Sequence, residues 1–457
     1  MPIAKIKNEV GSFSRWFTAA LFVIFVLYTS LWFLTIHISA EQRAENIQPT
    51  LPVVAEDSAE YDALAQSMLH GCGFAMNGQL ETLRTPGYPI FVAAIQTIGG
   101  GSYFAVTFVQ ILVTIMAALV VRRIGMRFAS QKVGEVAAVL LLINPVTIVL
   151  SLLIYSDTLF MLLFASGFYI ALTLDERRFF PNVLLASLLF GLAIYVRPIG
   201  LLAIPIFIAP VVASRLASGM KWKAIGILLA CLILLISPWM ARNYVRTGVF
   251  SFTSIGASAI NWAAARFIAN TNGLPLDAAY RTLEEKIGSP ESTWRDIRLS
   301  HKINGVAEGI ILEKPFSYAT YHLTTSLTFL FPSTIQFALD YYNASIGRAP
   351  PFKLGAINLL AAGDVRAFYQ NIIHVWWKIL ERLVWLCVCG IALYAVWRRR
   401  RDILAWVFAF IIGYLMVLAG PAAGPRYSLQ VWPYLFILFA TGCGYLLEKC
   451  NYFRASK

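Results

Sequence analysis

The chain has 457 residues, of which 58% are hydrophobic and only 13% are charged, with a mean hydropathy of +0.68. A soluble domain carries about 25% charged residues, so this composition excludes an ordinary soluble protein and indicates a chain that crosses a membrane many times. The formal net charge is +13. We interpret this excess as basic loops that obey the positive-inside rule, and not as a surface for nucleic acid.

Apolar runs of about 20 residues predict membrane-spanning helices, and the sequence contains roughly ten or eleven of them. In chain order they are 16–38, 102–121, 133–150, 157–174, 181–196, 198–213, 222–240, 374–397, 403–420 and 426–447, with a doubtful run at 316–338. The predicted fold class is therefore an all-α polytopic membrane protein with about 10–12 transmembrane helices.

The lysines and arginines between these runs set the predicted orientation. The clearest basic cluster is Arg398–Arg401, which follows the run at 374–397. Because basic loops stay in the cytoplasm, both chain termini are predicted to be cytoplasmic. Alternation then requires that 316–338 does not cross the membrane alone. This run is re-entrant, lies on the outer surface, or pairs with a weak crossing near 352–368.

This orientation places two long segments outside the cytoplasm, residues 39–101 and about 245–373. The predicted organisation is therefore a transmembrane module at 1–245, an outer loop region at 246–373, and C-terminal transmembrane helices at 374–457.

The first outer segment contains signals for two short helices. In 58–69 the apolar residues recur on one helical face, and in the second stretch Thr85 is the expected N-cap, with Pro86 as the first helical residue. The second helix would have about 13 residues and a length near 20 Å, which is too short to span a bilayer. Both helices are therefore predicted to lie along the membrane surface.

Four arginines lie where the positive-inside rule makes positive charge scarce. They are Arg84, Arg197, Arg242 and Arg426. Each by itself has a plain interpretation, a side chain that reaches the phosphates of lipid headgroups. Together they are candidate site residues, because a guanidinium fork matches a phosphate monoester or diester.

Two acids are predicted on the same side of the membrane. Asp157 begins the run 157–174 after Ser156, the expected N-cap, so its carboxylate is either a favourable helix-end charge or a site residue. Asp57 precedes Glu60 by three residues, as in a capping box, so it is either the cap of the 58–69 helix or a site residue. The acids and arginines together suggest a site for a phosphorylated lipid headgroup.

Several stretches, taken in order, resemble the GT-C glycosyltransferases, and the most similar branch is that of the protein mannosyltransferases and aminoarabinose transferases. These stretches are "EDSAEYDALAQSMLHGCGF", "RTPGYPIF", "NPVTIVLSLLIYSDTLF", "VRPIGLLAIP", "PWMARNYVRTGVF" and "RYSLQVWPYLF". The resemblance covers roughly residues 10–260 and is weak in the C-terminal third. It implies a GT-C-type bundle with juxtamembrane helices in the first periplasmic loop.

Members of this family transfer a sugar from a polyprenyl-phosphate carrier to an acceptor on the outer face. The resemblance places the first catalytic acid on Asp57, with Glu56 beside it, and the second on Asp157. A basic residue falls on Arg84, where aminoarabinose transferases have lysine, so a fork replaces a point charge. The other candidate substrate-binding residues are Tyr88, Arg197, Arg242, Asn243 and Arg426.

The chemistry implied is a single displacement with inversion, in which Asp57 takes the acceptor proton and the arginines stabilise the departing polyprenyl phosphate. The implied partners are the polyprenyl-phosphate-linked sugar, the lipid bilayer, and a lipid, glycan or protein acceptor. The implied location is a bacterial inner membrane, with the site on the periplasmic side. Some family members hold a divalent cation, but no metal-ligand spacing is apparent in this sequence and no cofactor is established by it.

Three other classes compete with this interpretation. A polysaccharide polymerase or ligase also has outer arginines and uses lipid-diphosphate donors. A secondary transporter places its ionisable groups near the bilayer midplane, whereas these acids are predicted at the outer rim. A non-catalytic membrane scaffold is the remaining alternative. The sequence does not identify the sugar or the acceptor.

Overall fold

A computed structural model of the chain describes residues 13–45, 50–53, 56–345, 365–422 and 424–455. Helices dominate these residues. In chain order they are α1 (Arg15–Ala44), α2 (Glu56–Leu69), α3 (Gly87–Ile98), α4 (Tyr103–Phe128), α5 (Gln131–Ile143), α6 (Pro145–Leu152), α7 (Asp157–Leu172), α8 (Phe179–Val196), α9 (Ile204–Ala213), α10 (Ser218–Thr247), α11 (Ile255–Asn272), α12 (Leu276–Ile287), α13 (Ser300–Glu313), α14 (Pro315–Leu327), α15 (Thr334–Ser345), α16 (Val365–Arg398), α17 (Ile403–Ala419), α18 (Pro425–Ser428) and α19 (Trp432–Ala455).

Between α2 and α3 the chain forms one small antiparallel hairpin of two strands, β1 (Ala75–Met76) and β2 (Gln79–Leu80). Its turn is made by Asn77 and Gly78, which have φ angles of 52° and 75°. An Asn-Gly pair accepts such positive φ angles at little cost, and this is why the chain reverses at that point.

Five helices in the described part of the chain are long and apolar enough to cross a membrane, and the bent pair α5–α6 makes a sixth. The five are α1, α4, α8, α10 and the portion of α16 from Trp376 to Arg398. Four shorter apolar helices are α3, α7, α9 and α17. The predicted all-α polytopic class is confirmed, but several expected spans are shorter than about 20 residues or are broken.

Prolines account for two of these breaks. In the run 133–150, α5 and α6 meet at an angle of 60°, and α6 begins at Pro145. Asn144 caps α6, because its side chain accepts from the Val146 N–H at 3.0 Å. The run 198–213 begins instead as a 3₁₀ turn at Pro198–Leu201, and α9 follows only at Ile204. Proline lacks an N–H and restricts the residue before it, so each helix restarts after the break.

The doubtful run at 316–338 is not a single crossing helix. It is divided between α14 and α15, with a break at 328–333 that contains Pro332. The expectation that it does not cross the membrane alone stays a prediction. Most of the weak crossing suggested near 352–368 lies outside the described residues.

Two separate hydrophobic cores organise the described residues. The main core lies among the membrane helices and includes Phe168, Phe190, Phe207 and Trp432, all essentially buried. The polar segment after α10 has a core of its own, shared by α11, α12 and α13. This segment is small for an independent domain, and its polar loops also bond to the first outer segment.

Helix α3 positions part of the site by its close approach to α8. A Cβ added at Gly87 would lie 2.6 Å from the backbone of Tyr195, so only glycine permits this contact. The expected N-cap at Thr85 is wrong, because Pro86 occupies the cap position and no side chain caps the helix. The contact places Arg84, just before α3, close to the end of α8 that carries Arg197.

Candidate active site

Asp57 lies in the first turn of α2 and does not cap it. The helix begins at Glu56, one residue earlier, so the capping-box interpretation of Asp57 is wrong. Its carboxylate instead accepts hydrogen bonds from two arginines, with Arg84 on Oδ1 and Arg426 on Oδ2. The side chain of Glu56 lies outside the described residues. Asp57 therefore lies between two arginines, and its role as a site residue stays a prediction.

Asp157 begins α7, as the sequence predicts, and is fully buried. Arg197 Nη1 donates to its Oδ1, and Arg426 Nε donates to its Oδ2 at 2.8 Å. Ser156 occupies the N-cap position, but its side chain makes no capping bond. Its Oγ is hydrogen-bonded to the hydroxyl of Tyr61 in α2 at 3.1 Å, so the start of α7 is joined to the helix that carries Asp57.

These contacts belong to one continuous series of ion pairs, which we call the charge chain. In order its members are Glu81, Arg295, Glu60, Arg84, Asp57, Arg426, Asp157 and Arg197. Acids and arginines alternate along it, so its formal charge is zero. The members come from the first outer segment, α2, α7, the end of α8, the segment between α12 and α13, and α18. The charge chain thus joins distant parts of the sequence at one place.

Electrostatics favour the ionised form of the acid in the middle of the charge chain. Burial alone would raise the pKa of Asp57, but the positive charges of Arg426 and Arg84 hold that pKa well below its usual range. Arg84 responds in the opposite direction: burial opposes its charge, yet Tyr61, Asp57 and Glu60 raise the pKa of its guanidinium. Both groups are therefore charged at neutral pH.

Arg242 and Asn243 lie beside the charge chain. The Arg242 guanidinium donates to the backbone carbonyls of Glu81 at 3.2 Å and Phe74 at 3.3 Å, and to the Asn243 side chain at 2.7 Å. It also packs over the ring of Trp239, 4.4 Å from the ring centre. Within the described residues it forms no ion pair with a carboxylate, so its positive charge is not cancelled by direct contact.

Asn243 and Tyr88 have supporting positions. Asn243 is buried, and its amide nitrogen donates to the carbonyls of Ser251 and Phe252. Tyr88 is also buried: its hydroxyl donates to Gln110 and its ring packs edge-on against Tyr61 at 4.7 Å. Both side chains support the residues around them instead of facing an open site.

Sequence reasoning missed three members of the charge chain. Glu60 was interpreted only as part of a capping box, whereas it accepts from both Arg84 and Arg295. Glu81 and Arg295 are themselves paired at 2.9 Å. Arg295 is one of several arginines in the polar outer segment, including Arg298, and nothing in the sequence separates it from them.

The same contacts test whether the site suits a divalent cation. All four carboxylate oxygens of Asp57 and Asp157 accept from arginines. Across the part of the chain that the structure describes, no group of three or more histidine, cysteine, aspartate or glutamate side chains is arranged to hold a metal ion. The residues present therefore do not fit a metal centre of carboxylate ligands.

An apolar cavity adjoins the last arginine of the charge chain. Arg197 and Tyr427 form its polar side, and the Arg197 guanidinium lies 5.8 Å from the centre of the Tyr427 ring. The rest of the lining is mainly apolar and includes Phe160, Phe164 and Phe329. The cavity has a volume of about 20 Å³, which holds about one water molecule and no hydrocarbon chain.

Three structures of known proteins are similar to this chain at low sequence identity. ArnT from Cupriavidus metallidurans bound to undecaprenyl phosphate is 12% identical with a TM-score of 0.44, over 92% of this chain and 78% of that chain. Its apo form gives 12% identity and a TM-score of 0.41, over 93% and 76%. The archaeal oligosaccharyltransferase AglB from Archaeoglobus fulgidus, in complex with an inhibitory peptide and a dolichol-phosphate, gives 13% and 0.48, over 94% and 51%.

Identities this low carry no information about substrates, and no curated protein sequence matches the chain. One family model does match, that of the dolichyl-phosphate-mannose-protein mannosyltransferases, over residues 84–241. The matched stretch includes Arg84, Asp157 and Arg197, but neither Asp57 nor Arg426. This match confirms, for residues 84–241, the resemblance to the protein-mannosyltransferase branch of the GT-C glycosyltransferases.

Proposed function

We propose that the protein is a membrane glycosyltransferase that moves a sugar from a polyprenyl-phosphate donor to an acceptor hydroxyl on the periplasmic face. The observation that carries this proposal is the convergence of Asp57 and Asp157 on Arg426. Two acids and several arginines at one place suit a reaction in which a lipid phosphate leaves an anomeric carbon.

The donor phosphate would bind among the arginines. Among the described residues, Arg242 contacts no carboxylate, so its positive charge is available to bind a phosphate. The charges of the charge chain, by contrast, sum to zero. Arg84 also contacts Glu81: its backbone N–H donates to the Glu81 carboxylate at 3.0 Å. A guanidinium fork gains bidentate hydrogen bonds from a phosphate.

Asp57 is the better placed of the two acids for taking a proton. Its side chain keeps 25% of its exposure, whereas that of Asp157 keeps none. In the proposed step the acceptor oxygen forms a bond to the anomeric carbon, the carbon–phosphate-oxygen bond breaks, and the acceptor proton passes to Asp57. One displacement of this kind inverts the anomeric configuration. Asp157 orients Arg197 and Arg426 through its ion pairs with both, and its negative charge stabilises their positive charges.

The two arginines on Asp57 also regulate how strong a base it is. A carboxylate that accepts two guanidinium bonds is a weak proton acceptor, because those bonds favour its ionised form. An anionic donor phosphate competes for the same guanidinium groups. Donor binding would therefore draw Arg84 away from Asp57 and raise the basicity of the carboxylate at the time when the acceptor arrives.

The test is transfer of radiolabelled sugar by the purified protein in detergent from a panel of polyprenyl-phosphate sugars, with lipid, glycan and peptide acceptors. We expect one donor class to be used, with inversion seen in the product by NMR. Asp57→Asn should abolish transfer, and Asp296→Asn, at an exposed ion pair, should not. Transfer only from lipid-diphosphate sugars, or equal transfer by Asp57→Asn and wild type, would contradict the proposal.

A further inference from the structure

Arg426 occupies the space between the two acids. Its Nε donates to Asp157 Oδ2 at 2.8 Å and its Nη1 donates to Asp57 Oδ2. The remaining oxygens accept from other arginines, Oδ1 of Asp57 from Arg84 and Oδ1 of Asp157 from Arg197. A carboxylate pair with every oxygen engaged in this way presents no free ligand set to a cation from solution.

The position of Arg426 is fixed by packing as well as by charge. Its guanidinium lies over the ring of Tyr155, 4.1 Å from the centre, in the loop that leads into α7. Two residues further along α18, Ser428 is buried, and its hydroxyl donates to the Phe329 carbonyl at 2.9 Å. The guanidinium is therefore held before any substrate arrives, and a preorganised charge of this kind stabilises developing negative charge effectively.

We propose that Arg426 is a built-in cation that bridges Asp57 and Asp157 in place of a divalent metal ion. The inference rests on the proposed function, because it takes the two acids as those of the reaction site. Sugar transfer by this protein then needs no divalent cation. A guanidinium has five N–H donors, and two of those of Arg426 are used on the acids. Because the described residues give the other three no hydrogen-bond acceptor, they can bond an oxygen of the leaving phosphate.

This assignment also explains why lysine would be a poor replacement. An ammonium is a compact point charge on a flexible stem, and it cannot present two N–H groups in a fixed plane to two separate carboxylates. Arg426→Lys should therefore fold but transfer more slowly than wild type. Arg426→Ala should leave Oδ2 of each acid without its partner, with room for a small cation between them.

The experiment has two readouts, of which one needs no turnover. Mn²⁺ binding is measured by electron paramagnetic resonance on wild type, Arg426→Ala and Arg426→Ala combined with Asp157→Asn. We expect no Mn²⁺ at the acids in wild type, one bound ion in Arg426→Ala, and its loss in the combined variant. Wild-type protein that binds Mn²⁺, and loses it in the single variant Asp157→Asn, would overturn the proposal.

The second readout is transfer activity. Chelation with EDTA should change wild-type transfer by less than about twofold, whereas Arg426→Ala should lose at least about 10²-fold, as for removal of a preorganised charge. Added guanidinium or Mn²⁺ should restore part of the loss at Arg426→Ala, and urea, a neutral molecule of similar shape, should not. Arg298→Ala is the matched control, since Arg298 is exposed and pairs only with Asp296 among the described residues.

The outcomes separate the two proposals. EDTA-sensitive transfer that Mg²⁺ or Mn²⁺ restores would overturn the role of Arg426 while leaving the glycosyltransferase intact. A folded Arg426→Ala that neither guanidinium nor Mn²⁺ activates, and that binds no Mn²⁺, would also overturn it. Wild type that uses no polyprenyl-phosphate sugar would defeat the proposed function, and the resonance measurement would still decide whether Arg426 excludes a metal from the acids.

Discussion

Asp57→Asn and Asp157→Asn each remove one negative charge, but from different places in the charge chain. We expect Asp57→Asn to lose mainly activity and Asp157→Asn to lose more stability. In Asp57→Asn, Arg84 keeps Glu60 and Arg426 keeps Asp157, so every arginine retains a carboxylate partner. The site of the change is also partly exposed, with 25% of the Asp57 side chain accessible. We therefore expect a loss of about 1–2 kcal/mol in the free energy of unfolding, near the cost of one charged hydrogen bond.

Asp157→Asn should be more damaging to the fold. Asp157 is fully buried, and it is the carboxylate partner that the described residues provide for Arg197. Removing it leaves a buried guanidinium without its counter-charge, a change that typically costs about 3–5 kcal/mol. Adding Arg197→Gln to Asp157→Asn should recover part of this loss, because the stranded charge is then removed as well.

Activity should rank the two acids differently. Removal of a general base slows a reaction by about 10²–10⁴-fold, so Asp57→Asn should be nearly inactive although it is folded. Thermal unfolding in detergent and single-turnover transfer with saturating donor measure the two quantities on the same preparation. The reasoning is refuted if Asp57→Asn keeps more than a tenth of wild-type turnover, or if it unfolds at a lower temperature than Asp157→Asn.

Three further predictions use the same preparation. Arg84→Ala should weaken donor binding more than Arg84→Lys, which keeps the charge without the fork, and equal donor affinity in both variants and wild type would remove Arg84 from the site. Arg295→Gln should lower the unfolding temperature more than Arg298→Gln, because only Arg295 bridges two buried acids, and equal shifts would contradict this. Arg426 and Arg84 lower the pKa of Asp57 from its ordinary value of 3.8. Ionised Asp57 therefore contributes its full stability above pH 3.8, and the contribution is lost only as the pH falls through the lowered pKa of the folded state. Unfolding temperature should accordingly show no titration of Asp57 between about pH 5 and 8, and a step there that Asp57→Asn removes would contradict the assignment.

The sequence predicted where helices lie better than how they end. Long apolar runs predicted α1, α4, α8 and α10 with ends up to seven residues from the observed ones, since about 20 apolar residues have no other stable arrangement in lipid. Caps were less predictable. Ser156 has the right residue type for an N-cap, yet its hydroxyl bonds Tyr61, about 95 residues away in the chain. A tertiary partner outweighed the local preference.

The site was predicted in part for a similar reason. Asp57, Asp157, Arg84, Arg197 and Arg426 were all expected near one surface, and the structure brings all five into contact through the charge chain. The sequence did not indicate how they pair. A pairing partner is set by the packing of helices that are far apart in the chain, and no spacing rule reports that packing.

Glu60, Glu81 and Arg295 show the limit most clearly. Arg295 and Glu60 are 235 positions apart in the chain, yet they form a direct ion pair. Only the docking of the outer polar segment on the first outer loop brings them together. The hydroxyl of Thr82 donates to the Arg295 carbonyl at 3.0 Å, and the Ser254 hydroxyl donates to the same carbonyl at 2.7 Å. The backbone of Arg295 is thus fixed as firmly as its side chain.

The charge chain also explains how several arginines can lie on the predicted outer side, where positive charge is scarce. That rule concerns positive charges in short loops, and here Arg84, Arg197, Arg295 and Arg426 are each matched by carboxylates in contact. The cluster therefore adds no net positive charge to that side. The exception is Arg242, whose contacts in the described residues are carbonyls, an amide and an aromatic ring. A lone cation beside a balanced cluster is where an incoming phosphate first binds, before it competes for Arg84, because binding at Arg242 neutralises a charge without breaking an existing ion pair.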